Sequence, residues 1–169
     1  AMSTYKVLVT DYAWPDLDIE RGRLAEIDAE LVVAENESPE HLAELAADVD
    51  AIMFNWAKVP ASVIEATTRC RIASRLGIGL DNIDIPACTE RNIVVTNIPD
   101  YCLIEVAEHA MALLLGLARK VAFYHLETKS GRYDLQAGAA LRRVGGQPPG
   151  LVGAAHPGRR VEAGALALS

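Results

Sequence analysis

The chain has 169 residues, a formal net charge of −7, and 51% hydrophobic against 23% charged residues. That length holds one domain of ordinary size and not two, and the apolar content excludes a wholly disordered chain. The acidic balance offers no basic field, so neither nucleic acid nor an anionic membrane is expected as a partner, and a soluble, cytoplasmic protein is the default expectation.

In chain order, Ala1-Met2-Ser3-Thr4-Tyr5-Lys6 lacks the charged and apolar regions of a signal peptide, and an Ala ahead of the Met reads as an expression remnant. Val7-Leu8-Val9-Thr10 is expected as a first strand closing on Asp11, and Leu31-Val32-Val33-Ala34 as a second. Ser38-Pro39-Glu40 supplies an N-cap, a proline at the first helical position and an early acid, which starts a helix to about Ala47. Ala51-Ile52-Met53-Phe54 is a third strand, followed by a loop through Trp56 and a helix entered at Pro60. Arg71-Ile72-Ala73-Ser74 is a fourth strand, a short helix spans about Asp84 to Arg91, and Ile93-Val94-Val95-Thr96 is a fifth strand. Short apolar strands alternating with helices predict an α/β fold, a small doubly wound parallel sheet of about five strands.

From Cys102 to about Tyr124 the pattern predicts one long helix, apolar nearly all round its middle and so expected to pack on a second domain or a partner chain. Its longest apolar run, Ala110 to Ala118, is short of the ~20 residues that span a bilayer. The composition changes after Asp134. Residues 1–134 carry 12 basic and 22 acidic side chains, whereas residues 135–169 carry four Arg, one Glu and seven of the twelve Gly. No helical or alternating period is sustained there, which marks a segment expected to be poorly ordered or cut short. Cys70, Cys88 and Cys102 have no paired spacing and are expected to be reduced packing residues, with no metal site.

The candidate chemistry sits in Arg75-Leu76-Gly77-Ile78-Gly79-Leu80-Asp81-Asn82-Ile83-Asp84, just after the fourth strand, where open parallel sheets bind ligands. Successive amides in a glycine turn form a concavity suited to an anion such as a carboxylate. The alternative is that Gly77 and Gly79 only permit a tight turn, and the absence of a third glycine excludes a dinucleotide phosphate fingerprint at this turn. Asp11 after the first strand prompts a phosphoacceptor reading, which is disfavoured because the third strand ends in Asn55 rather than Asp.

The run Ser74 to Asp84, the segment Asn97-Ile98-Pro99-Asp100-Tyr101 and Glu105-Val106-Ala107-Glu108-His109-Ala110 together resemble the D-isomer-specific 2-hydroxyacid dehydrogenases. Asn55-Trp56-Ala57 before Lys58-Val59 is similar to the branch that includes the C-terminal-binding-protein-like dehydrogenases. The resemblance covers roughly residues 5–150. It implies a flavodoxin-like substrate domain made from the amino-terminal segment plus a final helix from the carboxyl terminus, with a Rossmann domain inserted between them. It also implies hydride transfer between NAD or NADP and C2 of a small 2-hydroxy or 2-oxo acid. The substrate carboxylate would be held by the turn at Ile78 and Gly79, helped by the loop at Asn55 and Trp56, with Val106 beside the nicotinamide.

Domain boundaries follow: 1–101 as the substrate-binding domain, 102–134 as a long interdomain helix and loop, and 135–169 as a degenerate start of the NAD-binding domain. In Gly153-Ala154-Ala155-His156-Pro157-Gly158, Ala155 stands where the second glycine of the dinucleotide turn belongs, so the Cβ would face the pyrophosphate. The family's catalytic arginine, acid and histidine match no residue of this chain, and His41, His109, His125 and His156 do not replace them. The expectation is a truncated enzyme with no catalytic residue of its own, no cofactor bound and no activity alone, the abrupt tail being accounted for by a truncation or frameshift near residues 137–153. The rival is a non-enzymatic flavodoxin-like module that dimerises or docks a partner through the helix around 103–121.

Overall fold

A computed structural model describes residues 4–138, 141, 143–145 and 161. The chain divides into two compact units, Ala1–Pro99 and Asp100–Ser169. The first runs β1 (Tyr5–Val9), α1 (Asp18–Ala25), β2 (Ala29–Val33), α2 (Pro39–Ala46), β3 (Ala51–Phe54), α3 (Ala61–Ala66), β4 (Ile72–Arg75), α4 (Ile85–Glu90) and β5 (Val94–Thr96). Its five strands form one sheet in the order β2-β1-β3-β4-β5, every pair parallel. This is the expected doubly wound α/β fold, in the flavodoxin-like order whose direction of winding reverses between β1 and β3.

Strand alternation decides which residues make the core. Leu8 pairs with Ile52 and Ile52 with Ala73, so one row across three strands is apolar, and all three residues are fully buried. With Phe54 they pack in one cluster with Leu42 and Ala46 of α2, Val63 and Ile64 of α3, and Ala87 and Cys88 of α4. The opposite face carries Tyr5, Val7, Ala51, Met53, Ile72 and Ser74, which line an open groove together with Leu24 and Ile27. Ile72 and, on the edge strand, Val94 are exposed.

The capping signal read at Ser38-Pro39 acts as expected, and Asp84, read only as the start of a short helix, turns out to cap in the same way. The Ser38 hydroxyl accepts from the His41 amide at 3.3 Å, and the Asp84 carboxylate accepts from the Ala87 amide at 2.9 Å, so α2 and α4 each begin on a side-chain cap followed by a proline. Helix α1 was not anticipated: it carries Gly22, buries no residue and has no apolar face that periodicity could reveal. At the amino edge of the sheet, the Asp50 carboxylate accepts from the Lys6 amide at 2.8 Å and from Arg69 Nη2 at 2.5 Å, while Lys6 Nζ reaches Asp48 at 2.9 Å. These bonds tie the starts of β1, β3 and β4 together.

The second unit corrects the expectation of one helix to Tyr124. Helix α5 (Leu103–Ala118) ends at Arg119, Lys120 takes a left-handed conformation with φ 52°, and α6 (Val121–Lys129) starts anew. Helix α5 is largely uncovered within this chain. Only Leu103 and Ala107 are buried in it, whereas Ile104, Val106, Leu113 and Leu117 are exposed. Among the described residues no helix is long and apolar enough to cross a membrane, and no cluster of His, Cys, Asp or Glu has the makings of a metal site. Cys70 and Cys88 are buried free thiols, and burial pushes that of Cys88 up to about 11, in keeping with packing residues.

Candidate functional site

Three loops leave the carboxyl edge of the sheet side by side, after β1, β3 and β4. The first two are joined by Asp11. Its Oδ1 accepts from the Asn55 amide at 2.9 Å and from the Thr10 hydroxyl at 2.8 Å, and its Oδ2 accepts from the Trp56 amide at 2.6 Å. Burial alone would raise the pKa of this carboxyl, but hydrogen bonds from Asn55, Trp56, Thr10 and Ala57 outweigh it and hold the group below the ordinary aspartate value. The second and third loops are joined by Asn82, whose Nδ2 donates to the Asn55 carbonyl at 3.0 Å and to the Ala57 carbonyl at 2.9 Å. The Val59 amide donates in turn to the Asn82 carbonyl at 2.7 Å.

The turn after β4 has its carbonyls engaged. The Gly77 carbonyl accepts from the Ile98 amide at 3.0 Å, that of Ile78 from Asn97 Nδ2 at 2.8 Å and that of Gly79 from Arg75 Nε at 3.2 Å. Among the described residues, none accepts a hydrogen bond from the amides of Gly77, Ile78 or Gly79. Arg75 also lies over the Phe54 ring, 6.0 Å from its centroid, and its buried Nη1 has no partner among the described residues. The result is a short stretch of unspent amides beside a guanidinium, at the carboxyl end of an interior strand. Chemically it can receive a small anion, a carboxylate in particular.

Four of the five candidate residues are brought to this edge. Asn55 is buried at 6% exposure and Trp56 stands out at 69%, Ile78 is half-buried and Gly79 exposed. Val106 belongs to the second unit, on α5, and is 45% exposed. The dinucleotide turn at Gly153, Ala155 and Gly158 lies outside the described residues. His41 lies on α2, and His109 and His125 lie on α5 and α6 of the second unit. Sequence reasoning placed Arg75 and Asn82 in the candidate run and Asp11 at the end of the first strand but gave none of the three a role at this edge. Asp11 carried a signal, an acid directly after a strand, but its use as an acceptor for amides 44 and 45 residues away is a tertiary fact.

A family model described as D-isomer specific 2-hydroxyacid dehydrogenase, catalytic domain, matches residues 7–156. A hydroxypyruvate reductase of Thermotoga maritima is 36% identical over 169 residues, covering 99% of this chain and 54% of that protein. A D-3-phosphoglycerate dehydrogenase of Methanocaldococcus jannaschii is 33% identical over 157 residues, covering 92% of this chain and 29% of that protein. The chain thus spans about half, or less, of the length of these relatives. Among solved structures, a D-lactate dehydrogenase of Aquifex aeolicus complexed with NAD and lactic acid matches with a TM-score of 0.82 at 21% identity, over 96% of this chain and 48% of that one. That likeness is one of fold.

Proposed function

The chain belongs to the D-isomer specific 2-hydroxyacid dehydrogenase family, and from that premise we propose that its first 101 residues are the substrate-carboxylate-binding domain of an NAD- or NADP-dependent oxidoreductase. Residues 102–134 serve as the interdomain helix and loop, and 135–169 as the entry to a dinucleotide domain. The observation that carries the reading is the turn at Gly77, Ile78 and Gly79, whose amides have no acceptor among the described residues while its carbonyls are engaged. Arg75 beside it adds positive charge, and the Asn55–Trp56 loop forms the adjoining wall. The Asn55-Trp56-Ala57 segment supports a place in the C-terminal-binding-protein-like branch, and the acidic composition a cytoplasmic one.

When bound, the nicotinamide would supply or accept the hydride at C2 of a small 2-oxo or 2-hydroxy acid. In the sequence, Ala155 stands where a dinucleotide turn carries its second glycine, so the residues at this position do not match what that cofactor's pyrophosphate requires. What the chain itself does is hold and orient the carboxylate, and alone it performs no turnover. The test is a titration of the purified chain with glyoxylate, pyruvate and hydroxypyruvate by amide-resolved NMR, alongside a fluorescence titration with NADH. Shifts centred on Ile78 and Gly79 without saturable NADH binding are expected. Oxidation of NADH by the pure chain would overturn the proposed inactivity, and no perturbation at the turn would overturn the carboxylate site.

A second reading, a non-enzymatic module that dimerises, is favoured by one observation. Helix α5 exposes Ile104, Val106, Leu113 and Leu117, with Leu117 79% exposed.

A further inference from the structure

We propose that Asp11 is the positioning residue of the carboxylate site: it takes up the main-chain amides of Asn55 and Trp56 in the β3–α3 loop, so that these two residues meet a ligand through their side chains. The inference rests on the site proposed above and deepens it. Both oxygens of Asp11 are occupied, by the Asn55 amide at 2.9 Å, the Trp56 amide at 2.6 Å and the Thr10 hydroxyl at 2.8 Å. Asn82 takes the carbonyls of Asn55 and Ala57 at 3.0 and 2.9 Å. The loop's main chain is therefore bonded on both sides, to a strand-end acid on one and to a residue of the glycine turn's own loop on the other.

Two consequences follow for the site. A negative charge next to an anion site would ordinarily repel the ligand. Here the charge is directed into donors from the chain itself, which leaves the amides of Gly77, Ile78 and Gly79 as the main-chain cradle. Secondly, the bond to the Trp56 amide fixes the point from which an indole with 69% exposure projects. An asparagine at position 11 cannot do the same. Its single oxygen serves one amide, while its NH2 would face the other donor to donor.

The chain has two tryptophans, Trp14 and Trp56, so Trp14→Phe makes Trp56 the sole reporter. In that background, acrylamide quenching and anisotropy of Trp56 are measured without ligand, and glyoxylate affinity with it. Asp11→Asn is expected to raise the quenching constant about twofold and to weaken glyoxylate about fivefold, a size comparable to the net worth of one ordinary hydrogen bond. Asp50→Ala, which breaks a comparable carboxylate cluster at the amino edge, is expected to lower stability and leave both readings unchanged. Thr10→Val removes one donor from the same carboxylate at near-constant shape and is expected to move Trp56 in the same direction by less.

Unchanged Trp56 signals in folded Asp11→Asn, or equal movement in Asp50→Ala, would overturn the proposal. If Asp11→Asn does not fold, Thr10→Val decides, and an unmoved Trp56 there overturns it. Failure of the parent to bind glyoxylate while Trp56 still responds to position 11 would remove the carboxylate site and leave Asp11 as a loop anchor. That outcome separates the two readings.

Discussion

Gly77 and Gly79 look alike in sequence and differ in what they do. Neither has a positive φ, so left-handed backbone is not why they are glycines. A Cβ on Gly79 would lie 2.8 Å from Asp81 Oδ1, the far end of a side chain that can swing away. A Cβ on Gly77 would meet Arg75 Nε at 3.3 Å and Cζ at 3.4 Å, and that guanidinium is tethered by the Gly79 carbonyl and the Phe54 ring. Gly77→Ala should therefore cost about 1 kcal/mol and weaken glyoxylate, while Gly79→Ala should stay within about 0.5 kcal/mol. Urea unfolding of the two variants checks the ranking, and a larger loss for Gly79→Ala would contradict it. The position of this turn was legible in the sequence, because two glycines just after an apolar strand admit few other readings. The role of Arg75 was not legible, since nothing in its neighbours tells an arginine that leaves for solvent from one that folds back onto its own turn.

Elements were legible where local chemistry dictates them. Ser38-Pro39 and Asp84 with Pro86 start helices by capping, which needs only a few consecutive residues. Helix α1 was missed because it buries nothing, and the break at Lys120 because no glycine or proline marks it. The end of α4 shows how such a stop works. Asn92 takes φ 55°, and the Ile93 amide closes on the Cys88 carbonyl at 2.8 Å, the wrap that ends a helix on a left-handed residue. Asparagine tolerates that conformation better than alanine and less well than glycine. Asn92→Ala should thus destabilise by about 1 kcal/mol, and Asn92→Gly should be neutral or stabilising by a few tenths of that. Thermal unfolding decides, and equal melting temperatures for the two variants would show that the backbone conformation carries no cost here.

At the scale of the whole molecule, Asp11 clamps the carboxyl edge of the sheet and Asp50 the amino edge, and the two make stability depend on pH in the same direction. For Asp50, burial raises the pKa and the bonds from Lys6 and Arg69 more than offset it, so both carboxyls sit below their unfolded value. A lowered folded-state pKa contributes stability that is present above the unfolded value of about 3.9 and is lost as pH falls through the lower folded value. Asp50→Asn should therefore flatten the fall of unfolding free energy below about pH 4 while lowering the plateau at neutral pH. A neutral plateau left unchanged would mean that the Lys6 and Arg69 bonds are already lost in solution. Association is the other property that belongs to this scale, and two apolar surfaces compete for it. Parallel sheets are normally covered on both faces, yet one face here leaves Ile72 and the edge residue Val94 exposed. Helix α5 leaves Leu113 and Leu117 at 55% and 79% exposure. A contiguous apolar stripe on one helix is the better self-complementary surface, because two copies can bring the same row of side chains together about a twofold axis. The expected outcome is a dimer in sedimentation velocity that Leu117→Glu converts to monomer with its circular dichroism unchanged, while Val94→Lys leaves it a dimer. The reverse pattern would assign association to the sheet face, and a monomeric parent chain would remove α5 as an interface between copies.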